Sequence, residues 1–218
     1  LSDYVELNHI IEDGMRSYPG LPRPRIYALL DHEQSRPNYD GKAEFYLGKL
    51  EMPGNLGTYI DSPFHRYRDK PDLSQLSLEQ VAGLPGIALD GVVSGDRSLA
   101  VDPGGVEMRG RAILLRTGWD RKWGTGDYWE PCPYLSDATV EMLVGSLPAL
   151  VGVDFWNVDD TTDPGRPAHT RLLEKGILVV ENLCDLDKLP GAGFRFSAVP
   201  LRVVRGASIP IRAFAEIP

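Results

Sequence analysis

Asp61 and His65 stand four positions apart in the stretch Asn55-Leu56-Gly57-Thr58-Tyr59-Ile60-Asp61-Ser62-Pro63-Phe64-His65. The stretch has no helical periodicity, and Pro63 stiffens the backbone between the two side chains. A carboxylate and an imidazole held in that way suit proton transfer or metal binding. On its own the pair describes a hydrogen-bonded turn equally well. Two distant residues weigh the reading toward chemistry. His169 lies in the first turn of a helix opened by Pro167. The positive end of the helix dipole disfavours imidazolium there and leaves a lone pair for a metal. Glu181 ends an apolar run over 177–180, where a carboxylate is costly to desolvate unless it meets a cation or a donor. The carboxyl ends of parallel strands are also where open α/β sheets build their sites. Asp61, His169 and Glu181 together make an oxygen and nitrogen set for one divalent ion, and His65 is left for proton transfer. His9, in the first strand, and His32, in a polar loop, read as incidental.

The elements that must position these residues are mostly short strands. β-branched and aromatic residues predict strands over 4–10 and 43–50, with the Pro-rich loop Tyr18-Pro19-Gly20-Leu21-Pro22-Arg23-Pro24 between them. Ser77 and Gln80 have capping-box spacing ahead of a short helix through Val81. Residues 86–93 and 112–116 read as buried strands. Ser136 caps a helix through Leu147, which leads to a strand over 149–154, and Pro167 and Gly176 bound a second helix over 168–175. Two closing strands, 194–204 and 208–215, are expected to form an antiparallel hairpin turning at Arg205-Gly206-Ala207. Helix and strand alternate in the second half, which implies some parallel pairing. No repeat or linker divides the chain, so residues 1–218 read as a single strand-rich α/β domain.

Composition narrows the function. With 218 residues, 42% of them hydrophobic, the chain can bury a substantial core. A formal charge of -8, spread along the chain, argues against nucleic acid or an anionic membrane surface as the main partner. No apolar run approaches a membrane span and no signal peptide is visible. Two cysteines, Cys132 and Cys184, make neither a disulfide framework nor a zinc ribbon. They read as reduced thiols in a cytoplasmic protein.

At this point the chain resembles the cyclase family of metal-dependent hydrolases, which includes bacterial kynurenine formamidase and isatin hydrolase. The family motif is His-x-Gly-Thr-His-x-Asp-x-Pro-x-His. Here it stands with Asn55 and Tyr59 in place of the first two histidines, and with Gly57, Thr58, Asp61, Pro63 and His65 kept. The likeness continues through Leu115-Arg116-Thr117-Gly118-Trp119, Val151-Gly152-Val153-Asp154, His169, Val179-Val180-Glu181-Asn182, Pro200-Leu201 and Ile211-Arg212-Ala213-Phe214. It implies a swivelling β/β/α fold and a homodimer or larger homo-oligomer. It also implies a small-molecule substrate and a divalent metal, zinc or manganese. Carried over position by position, it gives Asp61, His169 and Glu181 the ligand roles and His65 the general acid/base role. Tyr18 falls in the family's N-terminal substrate loop, and Trp119 matches a further family position. Asn55 offers a weaker ligand than imidazole and is assigned to substrate. The Tyr59 phenol, protonated unless a cation depresses its pKa, becomes a donor to a developing oxyanion.

Three functions fit these residues. The first is hydrolysis of a small cyclic or N-acyl amide, or a lactone, by water activated on one cation. The second keeps the fold without metal and uses His65, Asp61 and Tyr59 for a cyclisation, dehydration or isomerisation. The third is a small-molecule binder without turnover. The acidic run Asp154, Asp159, Asp160 and Asp163 lacks the spacing of a calcium loop and reads as solvated.

Overall fold

The computed structural model describes residues 2–218. Its strands, in chain order, are β1 (Asp3–Glu6), β2 (Arg25–Leu30), β3 (Leu47–Glu51), β4 (Tyr59–Asp61), β5 (Leu84–Val93), β6 (Ser98–Val101) and β7 (Ala112–Arg116). They continue with β8 (Tyr134–Leu135), β9 (Leu150–Val153), β10 (Leu178–Glu181), β11 (Ala192–Ala198), β12 (Ser208–Pro210) and β13 (Ala213–Ile217). The α-helices are α1 (His32–Ser35), α2 (Asp137–Ser146) and α3 (Pro167–Glu174).

The main sheet runs β1-β13-β11-β5-β7-β9-β10-β4-β12, with β6 and β8 branching from β5. β5, β7, β9 and β10 are mutually parallel and the flanking pairs are antiparallel. Parallel strands covered on both faces need apolar side chains throughout. Every residue of β9 and β10 is accordingly buried, as are the first four of β7. Their alternation splits the core in two. Ile113, Leu115, Val151, Val153 and Val179 pack with Val140 and Leu143 of α2 and Leu172 and Leu173 of α3. Leu114, Leu178 and Val180 face the other way, where Ile60, Phe194, Phe196, Ala213 and Ala215 from the curled sheet cover them. The result is the expected strand-rich α/β architecture, with helices on one face and more sheet on the other.

Gly152 marks a close crossing on that second face. A Cβ there would stand 2.5 Å from Leu183 Cδ1 and 2.7 Å from Leu114 Cδ2. Gly152→Ala is expected to cost about 1–3 kcal/mol through overpacking, read as a lowered denaturant midpoint. An unchanged midpoint would mean that both leucines can move aside.

Several expectations are corrected. The closing hairpin does not form as drawn. β11 stops at Ala198, ahead of Pro200, and does pair antiparallel with β13. The segment between them crosses the molecule so that β12 pairs with β4 instead. Strand pattern identifies strands but not partners, and only tertiary contact resolves that choice. The first strand ends at Glu6, and the expected strand over 43–50 begins only at Leu47. The Ser77 capping box is present, but it starts a single 3-10 turn, Leu78–Gln80. β2 and β3 form a separate two-stranded arm on which Leu29, Leu47 and Leu50 are exposed. No helix among the described residues is long and apolar enough to cross a membrane.

Candidate metal centre and active-site cleft

Register assembles the site. β4 runs antiparallel to both β10 and β12, setting Tyr59 opposite Glu181 and Ser208 opposite Asp61. Ile60 points into the all-sheet core, so Tyr59 and Asp61 emerge on the other face, beneath α3. The Tyr59 hydroxyl donates to Glu181 Oε2 and the Ser208 hydroxyl donates to Asp61 Oδ1. Both are cross-strand contacts that the register imposes. The Gly57-Thr58 turn ahead of β4 is tied to the end of β10. Thr58 donates to the Asn182 carbonyl, and the Asn182 side-chain amide donates to Gly57 O at 2.7 Å.

α3 brings in His169. Its Nε2 lies 3.5 Å from Asp61 Oδ2 and 3.4 Å from Glu181 Oε1. Ligand atoms of the three residues all fall within 4.8 Å of one another, and all three side chains are buried. Asp61 Oδ2 is buried with no hydrogen-bond partner. An ionised oxygen left in that state is costly unless a cation meets it. His169 Nδ1 is engaged 2.6 Å from Asp159 Oδ2, which leaves Nε2 as the ligand nitrogen. Two carboxylates and one oriented imidazole form a donor set that fits a divalent ion.

Without that ion the charges partly compensate one another. Burial pushes the Glu181 carboxyl up to about 7, aided by the negative charge of Asp61 and opposed by His169. Burial also disfavours a charged His169, yet the Glu181 charge, the bond to Asp159 and the nearby Asp61 carboxylate outweigh it and raise this imidazole to about 10. Asp61 stays below the usual carboxylate range despite burial, because the His169 imidazole lies close by and the Ser208 hydroxyl donates to it.

His65 closes the 3-10 turn Pro63–His65, with its side chain 31% exposed. Its Nδ1 is 3.3 Å from Ser208 Oγ and 3.8 Å from Asp61 Oδ1, so it borders the triad without joining it. Partial burial lowers its pKa, with Asp61 pulling the other way, and keeps the ring neutral at neutral pH. Tyr18, Asn55, Tyr59, His65, His169 and Glu181 share one cleft of about 270 Å³.

Two assigned roles need correction. Trp119 is not among the residues lining this cleft; its indole N–H donates to the Tyr128 carbonyl at 3.1 Å. Trp123 and Trp129 border a larger, separate cavity of about 700 Å³ beside His9. The Tyr59 hydroxyl is already committed to Glu181, and burial beside two carboxylates raises its pKa well above the usual phenol value. Its hydrogen is therefore not free to meet an oxyanion. Asn55 reaches Ser208 Oγ at 3.4 Å from the cleft side.

Of the acidic run, Asp163 is exposed as expected, but Asp154 and Asp159 are not solvated. Asp154 is buried and accepts bonds from Thr117 N at 2.8 Å and Gly118 N at 2.7 Å, fixing the turn after β7. Asp159 is buried too and accepts from Ala168 N at 2.6 Å, so one carboxylate anchors α3 and orients His169. Sequence reading missed Asp159 and Ser208. The only local signal was an acid ten residues before a histidine at a helix start. Asp159→Asn should lower divalent-cation affinity about 10- to 100-fold, measured by calorimetric titration. Unchanged affinity would mean that the imidazole needs no such orientation.

The chain can now be placed among known proteins. The Cyclase family profile matches residues 5–160. The chain belongs to the Cyclase family. A kynurenine formamidase of Bacillus cereus is 27% identical over 218 residues, covering 97% of this chain and 96% of that protein. An isatin hydrolase A from Labrenzia aggregata, solved with benzyl benzoate, superposes with a TM-score of 0.83 at 21% identity, over 99% of this chain and 94% of its own. A potential metal-dependent hydrolase with cyclase activity superposes with a TM-score of 0.74 at 18% identity, over 100% of this chain and 99% of its own. These superpositions speak for the fold, and membership agrees with the sequence expectation of a hydrolase of this family.

Proposed function

We propose that this Cyclase-family chain is a metal-assisted hydrolase of a small N-acyl or cyclic amide, or of a lactone. The observation that carries the reading is the convergence of Asp61, His169 and Glu181 around an unpartnered buried Asp61 oxygen, at a cleft that His65 also lines. A formamidase and an isatin hydrolase among its relatives support carbonyl–nitrogen bond hydrolysis as the chemistry.

One divalent ion, zinc or manganese, held by Asp61, His169 and Glu181 would supply Lewis acidity to the substrate carbonyl. The chain's own residues do the rest. Ser208 spends its hydrogen on Asp61 and so accepts from His65 Nδ1–H, which leaves Nε2 unprotonated. His65 Nε2 therefore takes the proton of the attacking water and returns it to the leaving nitrogen or oxygen. Tyr59 and the Val158 amide, 2.7 Å from Glu181 Oε1, hold that carboxylate in place. Tyr18 and Asn55 shape the substrate side of the cleft. The homo-oligomer expected from the resemblance would have the exposed apolar arm of β2 and β3 to cover, since an isolated two-stranded sheet is marginal in water.

One observation favours a second reading. The proton that His169 retains up to about 10 offsets part of the charge of the buried acids without an ion. Acid/base cyclisation, dehydration or isomerisation by His65 and Asp61 would then need no metal. Metal content of protein purified without supplement, with turnover before and after chelation, separates the two. A stoichiometric ion whose removal abolishes turnover supports hydrolysis; full activity of metal-free protein supports the second reading. Glu181→Gln is expected to weaken cation uptake at nearly constant volume, and unchanged occupancy would remove Glu181 from the ligand set.

A further inference from the structure

Arg166 lines the same cleft as His169 and Glu181, and its Nη1 is buried without a hydrogen-bond partner among the described residues. A guanidinium is always charged, and a buried N–H with nothing to bond carries the full desolvation cost. The fold gives no reason for an arginine at this position. Its backbone is left-handed, with φ 48° and ψ 58°, a conformation that suits glycine or asparagine. It immediately precedes α3 yet makes no capping bond with its side chain. The free amides of that helix are taken by the Asp159 carboxylate instead, from Ala168 and His169. An arginine held against its backbone preference, half out of water and without an internal partner, is explained by a ligand that pairs with it.

The neighbouring groups indicate the chemistry of that ligand. Tyr18 lines the same cleft as Arg166, and burial pushes its phenol up, so the hydroxyl keeps its hydrogen. Asn157 Nδ2 donates to the Tyr18 oxygen at 3.2 Å, so the hydroxyl hydrogen is free to donate onward. An Arg fork beside a phenol O–H is a carboxylate-binding pair. On the hydrolase reading the scissile carbonyl belongs beside Asp61, His169 and Glu181, so a carboxylate held by Arg166 is a separate group of the ligand.

We propose that Arg166, assisted by the Tyr18 hydroxyl, binds a carboxylate on the substrate. On the hydrolase reading, from which this follows, the substrate class is a small amide or lactone that bears a carboxylate apart from its scissile carbonyl. The guanidinium sets specificity and takes no part in bond cleavage.

Fluorescence titration with 2-aminobenzoate and with its methyl ester tests the binding site directly, on protein with and without added zinc. The acid is expected to bind wild-type protein about 10- to 100-fold more tightly than the ester. Arg166→Gln should abolish that preference and leave ester binding unchanged. Arg166→Gly is the control for folding: it removes the guanidinium and relaxes the left-handed backbone, so it should lose the preference with an equal or higher Tm. Equal binding of acid and ester, absence of saturable acid binding, or a preference that survives in both variants would overturn the proposal. Turnover of 2-formamidobenzoate and its methyl ester separates this inference from the hydrolase reading. Hydrolysis of both at equal kcat/KM overturns Arg166 recognition and leaves the hydrolase standing. Arg166-dependent binding of the acid supports the recognition site even where neither compound turns over.

Discussion

His65→Ala is expected to lower kcat/KM about 10²- to 10⁴-fold, the usual contribution of a positioned acid/base group, while cation content stays at the wild-type level. The separation of the two effects is the point. His65 stands 3.8 Å from Asp61 and contacts Ser208, whereas the three ligand residues lie deeper and converge without it. Its side chain is 31% exposed on a short turn, so truncation leaves no sealed cavity and should cost little stability. Parallel measurement of turnover and of metal by elemental analysis reads both quantities. A variant that loses its metal along with activity would make His65 a ligand. One that keeps more than about a tenth of wild-type activity would assign the proton transfer to another group.

Cation affinity should fall steeply as pH drops, because protons and the ion compete for the same atoms. His169 holds its proton up to about 10 in the cation-free protein, and Glu181 holds one up to about 7. For His169 the cause is the surrounding acids, which overcome the burial that would otherwise deprotonate it. For Glu181 the cause is burial itself. Binding between those two values must displace one proton, so each unit of acidification weakens uptake about tenfold. Below about 7 a second proton must leave, and the slope steepens toward about a hundredfold per unit. From about pH 8 to about pH 6 the combined loss is therefore on the order of 10²- to 10³-fold. Titrations with zinc or manganese in buffers of matched ionic strength measure it. An affinity that stays flat over that range would show that His169 is already neutral before the ion arrives. Asp159→Asn should shift the same curve toward lower pH, since it removes one of the contacts that raise the His169 pKa.

The candidate ligand residues were legible one at a time, for local reasons. Asp61 and His65 share a proline-stiffened stretch, His169 follows a helix-opening proline, and Glu181 caps an apolar run. Each signal depends on a few neighbouring residues, and each survived into the structure. The residues that support them were not legible. Asp159 looked like one member of a hydrophilic run because its burial depends on α3 folding back over it. Ser208 belonged to an expected hairpin and moved to the site only when β12 paired with β4. Trp119 carried the right residue type at a matching position, yet its ring turned away from the cleft toward Tyr128. Arg166 was unremarked, since neither its backbone conformation nor its missing partner leaves a trace in residue order.

By itself, then, the order of residues pointed to the central strands, to α2 and α3, and to side chains whose chemistry suits binding or proton transfer, since these follow from short-range spacing, periodicity and side-chain chemistry. The tertiary structure alone decided strand partners and register. Those set Tyr59 against Glu181 and Ser208 against Asp61, and so turned a candidate oxyanion donor into a brace for the Glu181 carboxylate. The physical reason is that the alternation of side chains along a strand says which residues share a face but not which strand lies beside it. That choice rests on packing summed over the whole sheet.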